Sequence, residues 1–392
     1  MFEPDEIPQI KRAIRECAIR DKGLLDDLRK EVKEMRPNVR VIQPRRINSF
    51  SLVASESTNN KLEFDPFYFQ LIRVVDSDGK NLCLDTITPT TDTDVLSNRQ
   101  FDESGNPQTA LGVLMRDLSC DTLNELSPMI PTGQFIREHP ERVPRSWVQV
   151  YRDLCEWAVL YDKICYKINH NTLIVKDGLL RSKVFKYDKG NGRALFIEMM
   201  DRINKAIDLK KRNKIRIYFV GLAKHSQVLS RYSLAMQLEN ILPPNEPRYA
   251  RVPDRMEEKS YIWKEYMKKQ EGEEELSPGE EKNKYSAGHL YLVRFGKRNF
   301  DPVWAIDILA NQSSAEAEIF GYLQKDTEEG FPVPHYPSCL QKALEYAQII
   351  DFDLDILQDE VINSVKGILP PDRKEIIDNH MLNKEQIINR QA

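Results

Sequence analysis

No two of the six cysteines, Cys17, Cys83, Cys120, Cys155, Cys165 and Cys339, share a C-x-x-C spacing. That argues against a zinc ribbon and a disulfide framework and fits thiols kept reduced in a cytosol. No apolar run approaches the roughly 20 residues needed to span a bilayer. The N-terminus, Met1-Phe2-Glu3-Pro4-Asp5-Glu6, is acidic where a signal peptide is basic and then apolar, so a cytoplasmic location is expected. A global basic field is missing as well: 57 Lys and Arg stand against 61 Asp and Glu, a net charge of −4. Any binding of nucleic acid therefore has to rest on local patches. There is no Walker A motif and no internal repeat.

What remains is the composition of a globular protein, 41% hydrophobic and 30% charged over 392 residues, which allows one elaborated domain or two to three smaller ones. From about Glu6 to Met35, Ile10, Ala13, Ile14, Cys17, Leu24, Leu25, Leu28 and Val32 recur at helical spacing, with an interruption near Lys22-Gly23. This predicts a long amphipathic arm whose stripe is covered either by its own domain or by a partner. Strands are expected over Phe50 to Ala54, Phe67 to Val75 and Asn81 to Leu84, the last two joined by the turn Asp76-Ser77-Asp78-Gly79. Asp76 and Asp78 are assigned to turn chemistry before any metal role. Two stretches, about 86–144 and 243–286, are expected as irregular insertions, the second carrying the charged run Glu271 to Glu281.

The densest signal is Thr172-Leu173-Ile174-Val175-Lys176-Asp177-Gly178, a β-branched run that stops on Asp-Gly. It predicts a buried strand delivering one carboxylate to the sheet edge, with Gly178 letting the backbone turn. Burial disfavours an unpartnered charge, so Asp177 is expected to be exposed, paired with a cation or bound to a metal. A helix over Trp147 to Ile168 precedes it and carries Glu156 among apolar neighbours, with Arg152 one turn earlier as its simplest partner. A helix over Ala194 to Leu209, a strand over Lys214 to Gly221 that ends in glycine, and a helix over Lys224 to Met236 follow. Strand, helix, strand, helix argues for an α/β sheet with parallel pairing.

Taken in order, several stretches resemble the NurA nuclease family. Tyr151 to Glu156 looks like its arginine and glutamate helix, and Asp177-Gly178-Leu179-Leu180 like its "DGSL" strand. Val220-Gly221-Leu222-Ala223-Lys224-His225-Ser226 is similar to its glycine, lysine and serine turn. Val303-Trp304-Ala305-Ile306-Asp307 resembles its "vWRiE" strand, and Tyr336-Pro337 its tyrosine-proline loop before a helix. Where the family has Asp in a "VDGS" turn, this chain has Val53-Ala54-Ser55-Glu56-Ser57-Thr58, and the family's late histidine falls on Leu344.

The resemblance implies an RNase H-like mixed central sheet flanked by helices, with a helical arm over 1–45, a nuclease-like domain over 46–350 and a helical tail over 351–392. It implies cleavage of DNA with Mn2+ or Mg2+, by a homodimer working with a HerA-like hexameric ATPase and without a membrane. Carboxylates suit such cations because hard metals take oxygen ligands and offset the carboxylates' mutual repulsion. By resemblance Glu56, Glu156 and Asp177 are the metal ligands, and Tyr336 orients the substrate. Arg152, Lys224, His225 and His335 are candidates for phosphate contact, with a plain surface role open for each of the last three. The alternative is a catalytically impaired scaffold or regulatory subunit of a HerA-type complex.

Overall fold

The computed structural model describes residues 6–46, 50–64, 67–188, 192–260, 285–328 and 330–370. The charged run Glu271 to Glu281 and the tail beyond residue 370 lie outside them. The chain divides into two compact units, one of Met1–Ser55 and Tyr161–Lys342, the other of Glu56–Leu160 and Ala343–Ala392. A mixed sheet flanked by helices is the core of the molecule, as the sequence predicts.

In the first unit, β1 (Val39–Val41), β9 (Arg248–Arg251), β10 (Gly288–Arg294), β11 (Trp304–Leu309), β8 (Ile217–Ala223), β5 (Thr172–Asp177) and the start of β2 (Ser51–Phe64) lie side by side in that order. β5 runs parallel to both neighbours, Val175 opposite Ala54 and Val220, while β11 is antiparallel to β8 and to β10. A parallel strand covered on both faces needs apolar residues throughout rather than in alternation, which is why β5 and β8 read as unbroken apolar runs. Asp177 therefore ends a central strand, flanked on both sides, and not an edge strand.

Two expectations change here. The glycine of β8 does not close the strand, because β8 continues through Gly221 to Ala223. A Cβ on Gly221 would stand 2.5 Å from the Gly178 carbonyl oxygen and 2.8 Å from the Leu180 nitrogen. The glycine is thus the space into which the chain folds after β5, and Gly178, at φ +91°, makes that fold possible. The segment expected as an irregular insertion from residue 243 holds β9 and a helix, α10 (Asp254–Ser260), both packed in the unit.

The N-terminal arm splits where its sequence is interrupted, into α1 (Glu6–Arg20) and α2 (Lys22–Val32). The second half is covered by its own unit. Val32 and Met35 are fully buried with Tyr232, Met236, Leu290 and Leu292, and Leu25 and Leu28 pack at the margin. Each such buried side chain contributes about 1.5–3 kcal/mol. Tyr232 and Lys259 both donate to the Glu31 carboxylate, and Arg29 donates to Glu239. None of α1's residues is buried, and Ile7, Ile10, Ile14 and Ile19 are exposed.

In the second unit β2 is followed by β3 (Phe67–Asp76) and β4 (Asn81–Ile87), an antiparallel pair with Ile72 opposite Asp85. Their connection is the expected turn: Asp76 Oδ1 accepts from the Asp78 and Lys80 amides, and Gly79 sits at φ +78°. The region read as an irregular stretch with one helix instead carries α3 (Thr93–Asn98), α4 (Ala110–Asp117), α5 (Leu123–Leu126) and α6 (Gly133–Glu138). Asp92, Thr109, Thr122 and Thr132 cap their first turns. The Thr, Asn and Ser content that suggested loop is the capping chemistry of short helices. α7 (Trp147–Asp162) completes this stretch of chain, and among the described residues no helix is long and apolar enough to cross a membrane.

Gly221→Ala should lower stability by about 1–3 kcal/mol, because the atoms it meets are backbone and cannot swing aside. An unchanged denaturation midpoint would show that the chain after β5 is not held against β8.

Candidate functional site

In the first unit the site begins where β5 ends. Asp177 is partly exposed, and its carboxylate lies 3.8 Å from Lys224 Nζ. Lys224 follows β8 directly, and its ammonium stands 5.4 Å from the centre of the Tyr336 ring. That ring is buried and packs on Trp304 with centroids 4.9 Å apart. Trp304 in turn donates from Nε1 to the His335 carbonyl at 2.6 Å, fixing the loop that presents Tyr336. Lys224 is thereby held between an anion and an aromatic face, and its ammonium interacts with both.

The histidines fall outside this group. His225 is exposed, while His335 has φ +58° and places Nε2 3.7 Å from Asp301 Oδ2, a partial pairing on the surface.

Behind Asp177 is a charge network that the sequence did not announce. Asp307 is wholly buried on β11, accepts from the Leu180 amide at 3.1 Å, and receives Arg181 through Nε at 2.8 Å and Nη2 at 2.7 Å. The same guanidinium reaches Glu257 Oε1 at 2.5 Å, and that carboxylate is only 1% exposed. A two-pronged arginine contact is the strongest way to hold a buried carboxylate, since both oxygens are met at once. The available signal was the lone acid inside the apolar run Trp304–Leu309, which requires a cation somewhere; Glu257 lay in a segment taken for solvated.

In the second unit, Glu56 and Glu156 are both buried, at 7% and 5% exposure. The position expected as a turn is corrected: Ser55 to Thr58 lie inside β2, so Glu56 projects from extended backbone and not from a loop. Ser57 donates to Glu156 Oε2 at 3.0 Å. Arg152 does not pair with Glu156 as its spacing suggested. It donates to Asp153 Oδ1 through Nη2 at 2.7 Å and Nε at 3.2 Å. α7 is buried around most of its circumference, leaving Arg152 and Asp153 on the half-exposed remainder.

Around the same helix Tyr151 donates to Asp85 Oδ2 at 2.9 Å, and Arg99 pairs with that carboxylate at 3.1 Å. Burial, then the neighbouring Cys155 and Asp85, pushes the Tyr151 phenol well above its usual value. The hydrogen bond with Cys83, reinforced by burial, pushes the Cys155 thiol up as well. Cys155 thus stays protonated and is no nucleophile. Among the described residues, no group of three or more His, Cys, Asp and Glu side chains is placed to hold a metal ion.

No family model and no curated protein matches this chain. The fold and the buried acids describe an α/β protein built on a mixed sheet with carboxylates at strand and helix positions. Among solved structures it is similar to the NurA nuclease from Sulfolobus solfataricus, with 13% identity over 95% of this chain and 99% of that one and a TM-score of 0.43. It is also similar to NurA bound to dAMP and manganese, with 11% identity over 96% of this chain and all of that one and a TM-score of 0.38.

Arg181→Met should cost about 3–5 kcal/mol, since it leaves two buried carboxylates facing each other without their cation. Chemical denaturation at neutral pH measures it. Stability equal to the parent chain would mean that Asp307 and Glu257 are satisfied without Arg181.

Proposed function

We propose that this protein is a DNA nuclease of the NurA type, cleaving phosphodiester bonds in DNA end processing or in defence against foreign DNA. The observation that carries the reading is the Asp177, Lys224 and Tyr336 group, set at the end of a central parallel strand in the order the motif set requires. Such a group suits phosphodiester chemistry. Lys224 offers a fixed cation to the phosphate, and Asp177, partly exposed beside it, takes a proton from the attacking water as its oxygen bonds to phosphorus; the P–O bond to the leaving sugar oxygen breaks, and that oxygen takes a proton from solvent. Tyr336 keeps the ammonium in place through its ring face.

Glu56 and Glu156 are the further acidic residues of this reading. The motif set also implies Mn2+ or Mg2+. No step is assigned to the ion. A homodimer and a HerA-like hexameric ATPase that feeds it DNA belong to the same proposal.

A second reading keeps the fold and the ATPase partner but removes catalysis, leaving a scaffold or regulatory subunit. It is favoured by the Lys224 contact, which already satisfies Asp177 as an ordinary ion pair does.

Two measurements separate the readings. Asp177→Ala should reduce degradation of linear DNA in Mn2+ by about a hundredfold or more, the range lost with a general base. Full activity in that variant removes Asp177 from the chemistry. Calorimetry with Mn2+ measures whether the parent chain takes up the ion at all; no binding, together with no cleavage, supports the scaffold.

A further inference from the structure

The turn between β10 and β11, Phe295-Gly296-Lys297-Arg298-Asn299-Phe300-Asp301, interleaves cations with aromatics and plays no part in the group around Asp177. Lys297 to Phe300 are all exposed, and Phe300 leaves 77% of its surface in water. An exposed ring flanked by cations offers a face on which a flat guest can stack.

The loop is nevertheless tied by hydrogen bonds. Asp301 Oδ2 accepts from the Arg298 amide at 2.7 Å, the Asp301 amide donates to the Arg298 carbonyl at 3.2 Å, and the Lys297 carbonyl accepts from Asn245 at 2.7 Å. Gly296 admits the Asp301 carboxylate where a Cβ would collide with it. Arg298 stands 5.7 Å from the Phe300 ring centre. Phe300 is therefore presented beside a cation on a hydrogen-bonded turn.

Beneath the loop is a cleft of about 360 Å3, walled on its other side by α9 (Gln227–Leu238) and the residues after it. Its rim carries the exposed amides Gln237 and Asn240. Its lining includes Arg294, 2% exposed, which donates from Nη2 to the Pro243 carbonyl and whose Nε has no hydrogen-bond partner.

We infer that this loop and cleft bind single-stranded nucleic acid, with one base stacked on Phe300, its polar edge turned to the rim amides of Gln237 and Asn240, and the backbone following Lys297 and Arg298. Flat rings with hydrogen-bonding edges on an anionic backbone match all three features together, while an apolar guest would use only the ring. The inference rests on the DNA reading above for the choice of polymer. It adds a strand-holding contact distinct from the group around Asp177.

The test is fluorescence anisotropy with a labelled oligothymidylate of about 12 nucleotides, within the span such surfaces cover, in EDTA so that no cleavage intervenes. Phe300→Ala should weaken binding about tenfold, the effect of losing one stacked base. Phe300→Trp should bind at least as well as the parent chain, and Lys297→Ala with Arg298→Ala should flatten the salt dependence. Thermal unfolding of each variant checks its folding, which substitution at so exposed a position leaves intact. No binding by the parent chain, parent-like binding by Phe300→Ala, or a loss in Phe300→Trp equal to that in alanine overturns the inference. Phe300-dependent binding without any cleavage leaves the inference standing and defeats the nuclease reading alone. Cleavage with no dependence of binding on Phe300 does the reverse.

Discussion

The contact on which the rest depends is the clamp of Arg181 on Asp307. It ties the chain that has just left β5 to β11, a strand more than a hundred residues later, by two guanidinium bonds and the Leu180 amide. Together with the Gly178 amide, which donates to the Leu222 carbonyl, and the Ala287 amide, which donates to the Leu180 carbonyl, that tie folds the backbone into the space above Gly221 and sets the direction in which Asp177 leaves the sheet. Removing an ion pair from water is expensive, and here three charged groups are enclosed together. The return is positional: the end of β5, the end of β8 and the middle of β11 are held in one arrangement.

On that frame the chemistry of the first unit is local. Lys224 follows β8 just as Asp177 ends β5, and the two strands are parallel neighbours in register, Asp177 opposite Leu222. Parallel pairing brings both strand ends to the same side of the sheet, where ligand-binding groups of open α/β sheets collect. Tyr336 arrives from far along the chain and is kept there by Trp304, the first residue of β11. The same strand thus anchors both the turn after Asp177 and the aromatic face under Lys224.

The second unit treats its acids differently. Glu56 and Glu156 are withdrawn from water on a strand and on a nearly enclosed helix, and Ser57 supplies one of the hydrogen bonds that make the burial of Glu156 tolerable. Arg152, which a helical wheel would assign to Glu156, turns outward to Asp153, where the half-exposed pair keeps its hydration. Spacing along a helix shows which partners are within reach; solvation decides between them.

The sequence by itself determined the features that depend on local periodicity and turn chemistry. The unbroken apolar run of β5, the Asp76 to Gly79 turn, the break in the N-terminal arm and the positive φ at Gly178 follow from neighbours a few residues apart. Only the tertiary structure decided the features that depend on distant charge and space. Gly221 reads as a strand terminator until the returning chain is seen to occupy its missing Cβ. Glu257 reads as part of a solvated insertion until Arg181 is found against it. Ser55 to Thr58 read as a turn because a motif suggested one, yet extended pairing carries β2 straight through them. Asp177 itself shows the division: its place at a strand end was legible, whereas its cation came from a neighbouring strand that only parallel register brings alongside.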